Sequence, residues 1–304
     1  MVCGLAVAAT AAYMLTLIFR SGGGGSWANV GKLIVFGVLI GCGLWALRQR
    51  SPAEVQQSMQ PFLADGLPGL LQAMGFSFIA LQGFDLIAAV GGEVRQPERT
   101  IPRAMLISLG IAIVIYLPLL FVIATVGNDG ESITELSRRH GETIVAVAAE
   151  NYLGRFGYWL VIVAAILSML SALQANLFAA SRVAVSMARD RTLPRRIGRI
   201  SRRTKSPLTA IVLTAFLVCG ILVVVPNVAA AGAAASLIFL ITFALAHWIA
   251  ILVRQRSRDR LPPFRVPLFP LVPVVGGTAC LALAAYQGVA VPEAGKITLV
   301  LQHH

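Results

Sequence analysis

Residues 66–93 read GLPGLLQAMGFSFIALQGFDLIAAVGGE. The run is long enough for a membrane helix, which needs about 20 mostly apolar residues. Gly66, Pro68, Gly69, Gly75, Gly83, Gly91 and Gly92 punctuate it, and polar Ser77, Gln82 and Asp85 sit near its middle. An unbroken helix facing lipid does not combine these features. Backbone that leaves helical geometry at membrane depth survives only where protein or a water-filled cavity receives its freed N–H and C=O groups. The run therefore reads as a helix broken over Phe78, Ile79, Ala80, Leu81, Gln82 and Gly83, with Phe84 and Asp85 opening a second half-helix. Asp85 then stands near a positive dipole end and reads as a helix cap in preference to a proton carrier.

The remainder of the chain belongs in the same solvent. Of 304 residues, 57% are hydrophobic and 12% charged, with a mean hydropathy of +0.80, whereas ordinary soluble domains carry about 25% charged residues. Apolar segments fall near 2–20, 31–48, 67–93, 103–127, 155–188, 207–226, 228–253 and 267–290. They predict an all-α polytopic membrane protein with about eight transmembrane helices, one of them broken. None alternates apolar and polar residues as barrel strands do, which excludes an outer-membrane barrel.

The net charge of +12 follows topology. Taking every second loop as one side gathers sixteen Arg and Lys, in the stretches Arg95 to Arg103, Arg189 to Lys205 and Arg254 to Arg265, against five on the other side. The richer side is cytoplasmic by the positive-inside rule. The Arg189 to Lys205 loop has no aromatic residue on which a base would stack, so nucleic acid is not an expected partner. The first segment then runs inward, the second outward from Lys32, and the tail after Gln287 lies outside. The stretch Asn128 to Gly154 is the longest external loop, and Thr143 to Tyr152 within it reads as a short amphipathic helix that caps an outward-facing cavity.

Cys3, Cys42, Cys219 and Cys280 lie inside apolar runs without the spacing of a zinc site or a disulfide framework. The first segment has no basic stretch before it and reads as a membrane helix in preference to a cleaved signal. Residues 21–26, SGGGGS, read equally as a flexible linker or a glycine-rich turn. Gly37 and Gly41, with Cys42 and Gly43 beside them, form a small-residue face suited to close helix packing. There is no H-E-x-x-H, no G-x-S-x-G and no P-loop, so an enzyme is not expected, and neither a metal nor a tightly bound cofactor is implied.

Secondary transporters bind substrate at discontinuous helices, where half-helix N-termini face anions and freed carbonyls face cations. That pairing suits a small molecule carrying both a carboxylate and an ammonium group.

The motifs around the break carry a resemblance. Phe78 to Asp85, followed by Gly92-Glu93-Val94-Arg95-Gln96-Pro97-Glu98-Arg99-Thr100-Ile101-Pro102, resembles amino acid permeases of the amino acid, polyamine and organocation superfamily. It is closest to the cationic amino acid transporter-like pattern F-F-A-Y-x-G-F-D then E-E-x-x-N-P-x-R-x-I-P. Ser181-Arg182 with Met187-Ala188-Arg189-Asp190-Arg191-Thr192-Leu193-Pro194 is similar to the family's S-R then M-A-R-D-G-x-L-P, and Phe264-Arg265-Val266-Pro267 with Pro270 and Pro273 looks like the start of its helix eleven. Ile79, Leu81, Gly92 and Arg191 depart from the pattern.

The resemblance implies the five-plus-five inverted-repeat fold of the leucine transporter. The chain would be a fragment covering helices four to eleven, with 1–48 ending the first repeat, 67–253 forming the second and 254–304 an added helix and tail. All 304 residues then form one transporter domain. The implied activity is secondary active transport of an amino acid across the bacterial inner membrane, by proton symport or exchange. The implied partners are a small-molecule substrate and the lipid bilayer. A non-transporting scaffold or nutrient-sensing remnant is the alternative.

Phe78 to Phe84 are the candidate substrate-binding residues. Lys32, at the start of its segment, reads from the residue alone as a snorkelling interfacial lysine. The resemblance gives it instead the place where sodium-coupled relatives bind a cation. Ser168 and Ser171, three apart on one helical face, are candidate hydroxyls for that coupling site, although serines in membrane helices also bond their own i−4 carbonyls. Gln174 and Asn176 follow on the same segment, and His247 reads as interfacial in preference to a proton relay.

Overall fold

The structure, a computed structural model, describes residues 8–15, 26–63, 65–89, 91–201, 206–224, 228–256, 264 and 266–290. Every regular element among them is helical: α1 (Ser26–Leu47), α2 (Pro52–Ser58), α3 (Gly66–Ser77), a 3₁₀ turn at Phe78–Leu81, α4 (Leu86–Ala89), a second turn at Gly91–Glu93, α5 (Pro97–Thr125), α6 (Ile133–His140), a third turn at Gly141–Thr143, α7 (Ile144–Arg189), α8 (Leu208–Val224), α9 (Val228–Arg256) and α10 (Leu271–Ala290). Residues 8–15 are also helical, and the rest of the first expected segment lies outside the described residues. So do residues 21–25 and the tail beyond 290.

Five stretches are long and apolar enough to cross a membrane: Asn29–Leu47, Pro97–Thr125, Ile144–Arg189, Ala231–Arg256 and Leu271–Val289. Leu208–Ile221 is apolar but shorter. Val114, Met169 and Phe216 are 70%, 72% and 74% exposed. Large apolar side chains turned outward along whole helices match lipid as the surrounding solvent. The protein is all-α and polytopic, as the composition predicts.

The chain forms two compact units. The first comprises Met1–Ala64 and Leu109–Leu222. Within it α1 lies against α7, and the Tyr152 hydroxyl donates to the Leu39 carbonyl at 3.3 Å. The buried line of α1 runs through Leu39 and Gly43, one turn apart. Gly43 packs so closely on Val122 that no Cβ would fit. The expected face at Gly37 and Gly41 is corrected here: both open onto space, because they lie about 200° round the helix from the buried line.

The stretch Asn128 to Gly154 holds more helix than the sequence predicts. The segment expected at Thr143 to Tyr152 is present, but it is the first part of α7, deflected at Gly154, whose φ of 67° and ψ of −166° interrupt the helix. Ahead of it stands α6, which the sequence reading missed. Its signals are ordinary ones: Ser132 before it, Glu135 in its first turn, Arg138, Arg139 and His140 in its last, and Gly141 after it. At the other edge, α2 begins with a capping box in which Ser51 N–H donates to Glu54 Oε2 at 2.8 Å and Glu54 N–H to Ser51 Oγ at 3.3 Å.

The second unit comprises Asp65–Ser108 and Val223–His304. Its core is Leu237, Leu240 and Ala284, with Phe78, Ile241, Cys280 and Leu283 packed around them. Here α3 is bound to α10 by the Tyr286 hydroxyl, which donates to the Pro68 carbonyl at 3.1 Å.

Candidate functional site

The α-helical ladder of α3 stops at Ser77. Phe78–Leu81 tighten into a 3₁₀ turn, and Gln82, whose N–H still donates to the Ile79 carbonyl at 3.1 Å, turns to an extended conformation with ψ 148°. Gly83 follows at φ +129°, a region that side-chain-bearing residues avoid. The helix is therefore broken where the sequence placed the break. The carbonyls of Leu81 and Gln82 accept no hydrogen bond from a described residue. They are the acceptors that the break in the helix frees.

Past the break the expectation needs correcting. Phe84 and Asp85 do not open a long half-helix; α4 is a single turn at Leu86–Ala89 before the next 3₁₀ turn. Asp85 also caps in the other direction, its Oδ1 accepting the Gly83 N–H at 3.0 Å. The carboxylate thus satisfies an amide that the break itself orphans. With so short a helix behind it, the dipole available at this point is small, since the macrodipole sums over aligned peptides.

Three residues that the sequence reading did not single out surround the break. The Ile79 N–H donates to Ser236 Oγ on α9 at 3.2 Å. The Phe243 ring, also on α9, meets Phe78 edge-on at 5.8 Å and Phe84 at 5.6 Å. Gln287 on α10 is 1% exposed and donates from Nε2 to the Ala233 carbonyl at 3.1 Å. Its Oε1 has no partner among the described residues and lies against Gly75 of α3. A buried glutamine in an apolar span was the one legible sign among the three.

The coupling candidates fall in the first unit, the substrate candidates in the second. Lys32 Nζ donates to Ser171 Oγ at 2.5 Å, with Asn29 Oδ1 at 3.4 Å. Its side chain reaches Ser171 on α7 and also Asn29, one turn back on its own helix. Ser168 does not join this pair, and Asn176 Nδ2 bonds its own i−4 carbonyl, Ala172, at 2.9 Å. His247 packs against Gly276, and its Nδ1 pairs with the Phe243 carbonyl at 2.7 Å, a helix-packing role.

In the first unit, a cavity of about 1380 Å³ opens between the end of α1, α2, the loop after α5 and the start of α7. Trp45, Arg50, Glu54, Asp129, Asn151 and Tyr152 are among its walls. Loops that arginine bias assigns to one face therefore meet in space. Asn151 Nδ2 holds the Gly127 carbonyl at 2.6 Å. The Ser51 backbone N–H, and after it the Ser51 hydroxyl, hold the Glu54 carboxyl below its usual range. Among the described residues, no three His, Cys, Asp or Glu side chains stand together as metal ligands do.

A polytopic helical protein with a helix broken over Phe78 to Gly83 fits the class of membrane permeases. This chain belongs to the amino acid permease family, whose pattern it matches over residues 1–298. It is 29% identical over 248 residues to the inner membrane transport protein YbaT of Escherichia coli, covering 81% of this chain and 54% of that protein. It is 26% identical over 249 residues to the serine/threonine exchanger SteT of Bacillus subtilis, covering 81% and 54%. To the mitochondrial cationic amino acid transporter 3 of Arabidopsis thaliana it is 26% identical over 204 residues, covering 67% and 31%. The chain spans about half the length of the first two relatives. It is a multi-pass protein of the plasma membrane.

Proposed function

We propose that this chain forms part of a secondary active transporter of amino acids, working by alternating access, with Phe78 to Phe84 facing the substrate. The observation that carries this is the break itself: in an apolar segment, Leu81 and Gln82 keep carbonyls without a partner among the described residues, beside Gly83 at φ +129°. Such carbonyls bind a cationic group, and here they would take the substrate ammonium. Family membership supports the reading, as do relatives named for serine and threonine and for cationic amino acids.

In this proposal Lys32 is a tethered cation. Its ammonium, held on Ser171, occupies the place a sodium ion takes in sodium-coupled permeases, and energy comes from a proton gradient or from exchange. Residues 1–48 close a first repeat and 67–253 form a second, in the inverted-repeat arrangement.

The test is uptake of labelled amino acids by liposomes holding the protein that carries this chain, under an inward proton gradient or with unlabelled amino acid preloaded. Saturable uptake of at least one amino acid in one arm is the expected result. Absence of uptake in both arms, from protein shown to be inserted and folded, overturns the proposal.

A further inference from the structure

Gly83 has nothing within 4 Å of the position a Cβ would take. The break is held locally by the Gly83 N–H donating to Asp85 Oδ1 at 3.0 Å, and its two flanks are held by contacts from another helix. The neighbouring contacts converge on one face of α9. Ser236, Leu240 and Phe243 follow at intervals of four and three, the spacing of adjacent positions along a helix face. Ser236 and Leu240 are fully buried.

Each of these side chains meets a different part of the break. The Ile79 N–H lost its α-helical acceptor when α3 stopped at Ser77, and Ser236 Oγ receives it at 3.2 Å. Leu240 belongs to the core cluster against which Phe78 packs. The Phe243 ring touches both Phe78 and Phe84, six residues apart, one on each side of the break. A single ring gripping both flanks fixes the distance the chain must cover between them, and a hydroxyl at the upstream edge fixes where the helical ladder ends.

We infer that Ser236 and Phe243 are positioning residues, and that α9 acts as the template holding Phe78 to Phe84 in its non-helical shape. The consequence for transport rests on the proposal that this segment faces the substrate: a template that sets the direction of the Leu81 and Gln82 carbonyls sets substrate affinity without touching substrate.

Two readouts separate the template from the site. The first is hydrogen–deuterium exchange of the folded protein in detergent, resolved to single amides by fragmentation. Ser236→Ala should speed exchange at Ile79 about tenfold, while amides of α1 keep their wild-type rates. Ser236→Thr, which keeps the hydroxyl, should restore slow exchange. Phe243→Leu, which keeps apolar bulk and loses the ring contacts, should speed exchange at Gly83 and Leu86. The second readout is transport kinetics, in which Ser236→Ala and Phe243→Leu should each raise KM about tenfold and change the maximal rate less than about twofold. Phe239→Leu, whose ring meets only Phe243 among the described rings at 6.4 Å, should raise KM less than either.

Unchanged exchange at Ile79 in Ser236→Ala overturns the template. If that variant does not insert, unchanged exchange at Gly83 and Leu86 in Phe243→Leu overturns it equally. Faster exchange with an unchanged KM leaves the template standing and removes Phe78 to Phe84 from the substrate path.

Discussion

Lys32 Nζ lies 2.5 Å from Ser171 Oγ, joining side chains 139 positions apart in the chain. A lysine near a helix end would ordinarily extend toward the headgroups. Here the ammonium is spent on the neighbouring helix, with Asn29 as a longer second acceptor. If that ammonium stands in for sodium, uptake by the complete protein is unchanged when choline replaces sodium, and Lys32→Ala abolishes uptake or makes it sodium-dependent. Ser171→Ala, which removes one acceptor from a charge, costs about 1 kcal/mol, or about fivefold in rate. Ser168→Ala costs less. Sodium-dependent wild-type uptake would return Lys32 to a snorkelling role.

Gly83 carries the second prediction. Its φ of +129° favours glycine, and the space around it is open, so any penalty of Gly83→Ala arises in the backbone alone. Such strain is of order 1–3 kcal/mol. The expected outcome is a lower thermal midpoint and reduced uptake for Gly83→Ala, while Gly110→Ala, at a helical glycine that also faces open space, is neutral or slightly stabilising. Equal midpoints for the two variants would show that residue 83 relaxes into ordinary geometry.

The break was legible because glycine and polar residues inside an apolar run have few physical explanations, and Lys32 and Ser171 were each legible as polar groups in spans. The template was not. Ser236 is 157 positions from Ile79, and a serine in a membrane helix more often bonds its own backbone, so nothing local marks it. Phe243 is one of many apolar side chains in α9. The sequence centres the small-residue face on Gly37 and Gly41, with Gly43 beside them and not at its centre, because α1 is apolar nearly all round, and a helix without an amphipathic stripe does not announce which side is buried. The direction in which Asp85 caps is not legible, because the sequence shows a carboxylate beside a break and does not say how short the helix after it is.

The capping box of α2 makes a pH prediction. Glu54 has its carboxyl pKa lowered from 4.5, chiefly by the Ser51 backbone N–H, then by the Ser51 hydroxyl, with Arg50 adding a smaller favourable charge. A carboxyl depressed in the folded state stabilises the fold above its unfolded pKa, and that contribution disappears as pH falls through the folded value. The α2 turn should therefore hold at neutral pH and loosen below about pH 4.5, seen as faster amide exchange over Pro52–Ser58. Ser51→Ala should show fast exchange at both pH values. A wild-type rate, corrected for intrinsic exchange, that does not change between pH 6 and pH 3.5, roughly the window around an ordinary carboxyl, would show that the cap does not control this helix.

The last prediction concerns sidedness. Arginine bias places Arg189 to Lys205 in the cytoplasm and Asn128 to Gly154 outside. The structure adds that residues 49–62 and 126–152, both assigned outside, line one cavity, as loops on a single face must. His140 and Arg196 are both exposed, so cysteines there would meet a reagent equally well wherever it has access. Intact cells expressing His140→Cys in a background without other cysteines should label strongly with a membrane-impermeant maleimide, and those expressing Arg196→Cys should label only after permeabilisation. The opposite pattern would reverse every helix direction. It would also move the 1380 Å³ cavity to the cytoplasmic side and put the Lys32 and Ser171 pair near the outer end of its helix.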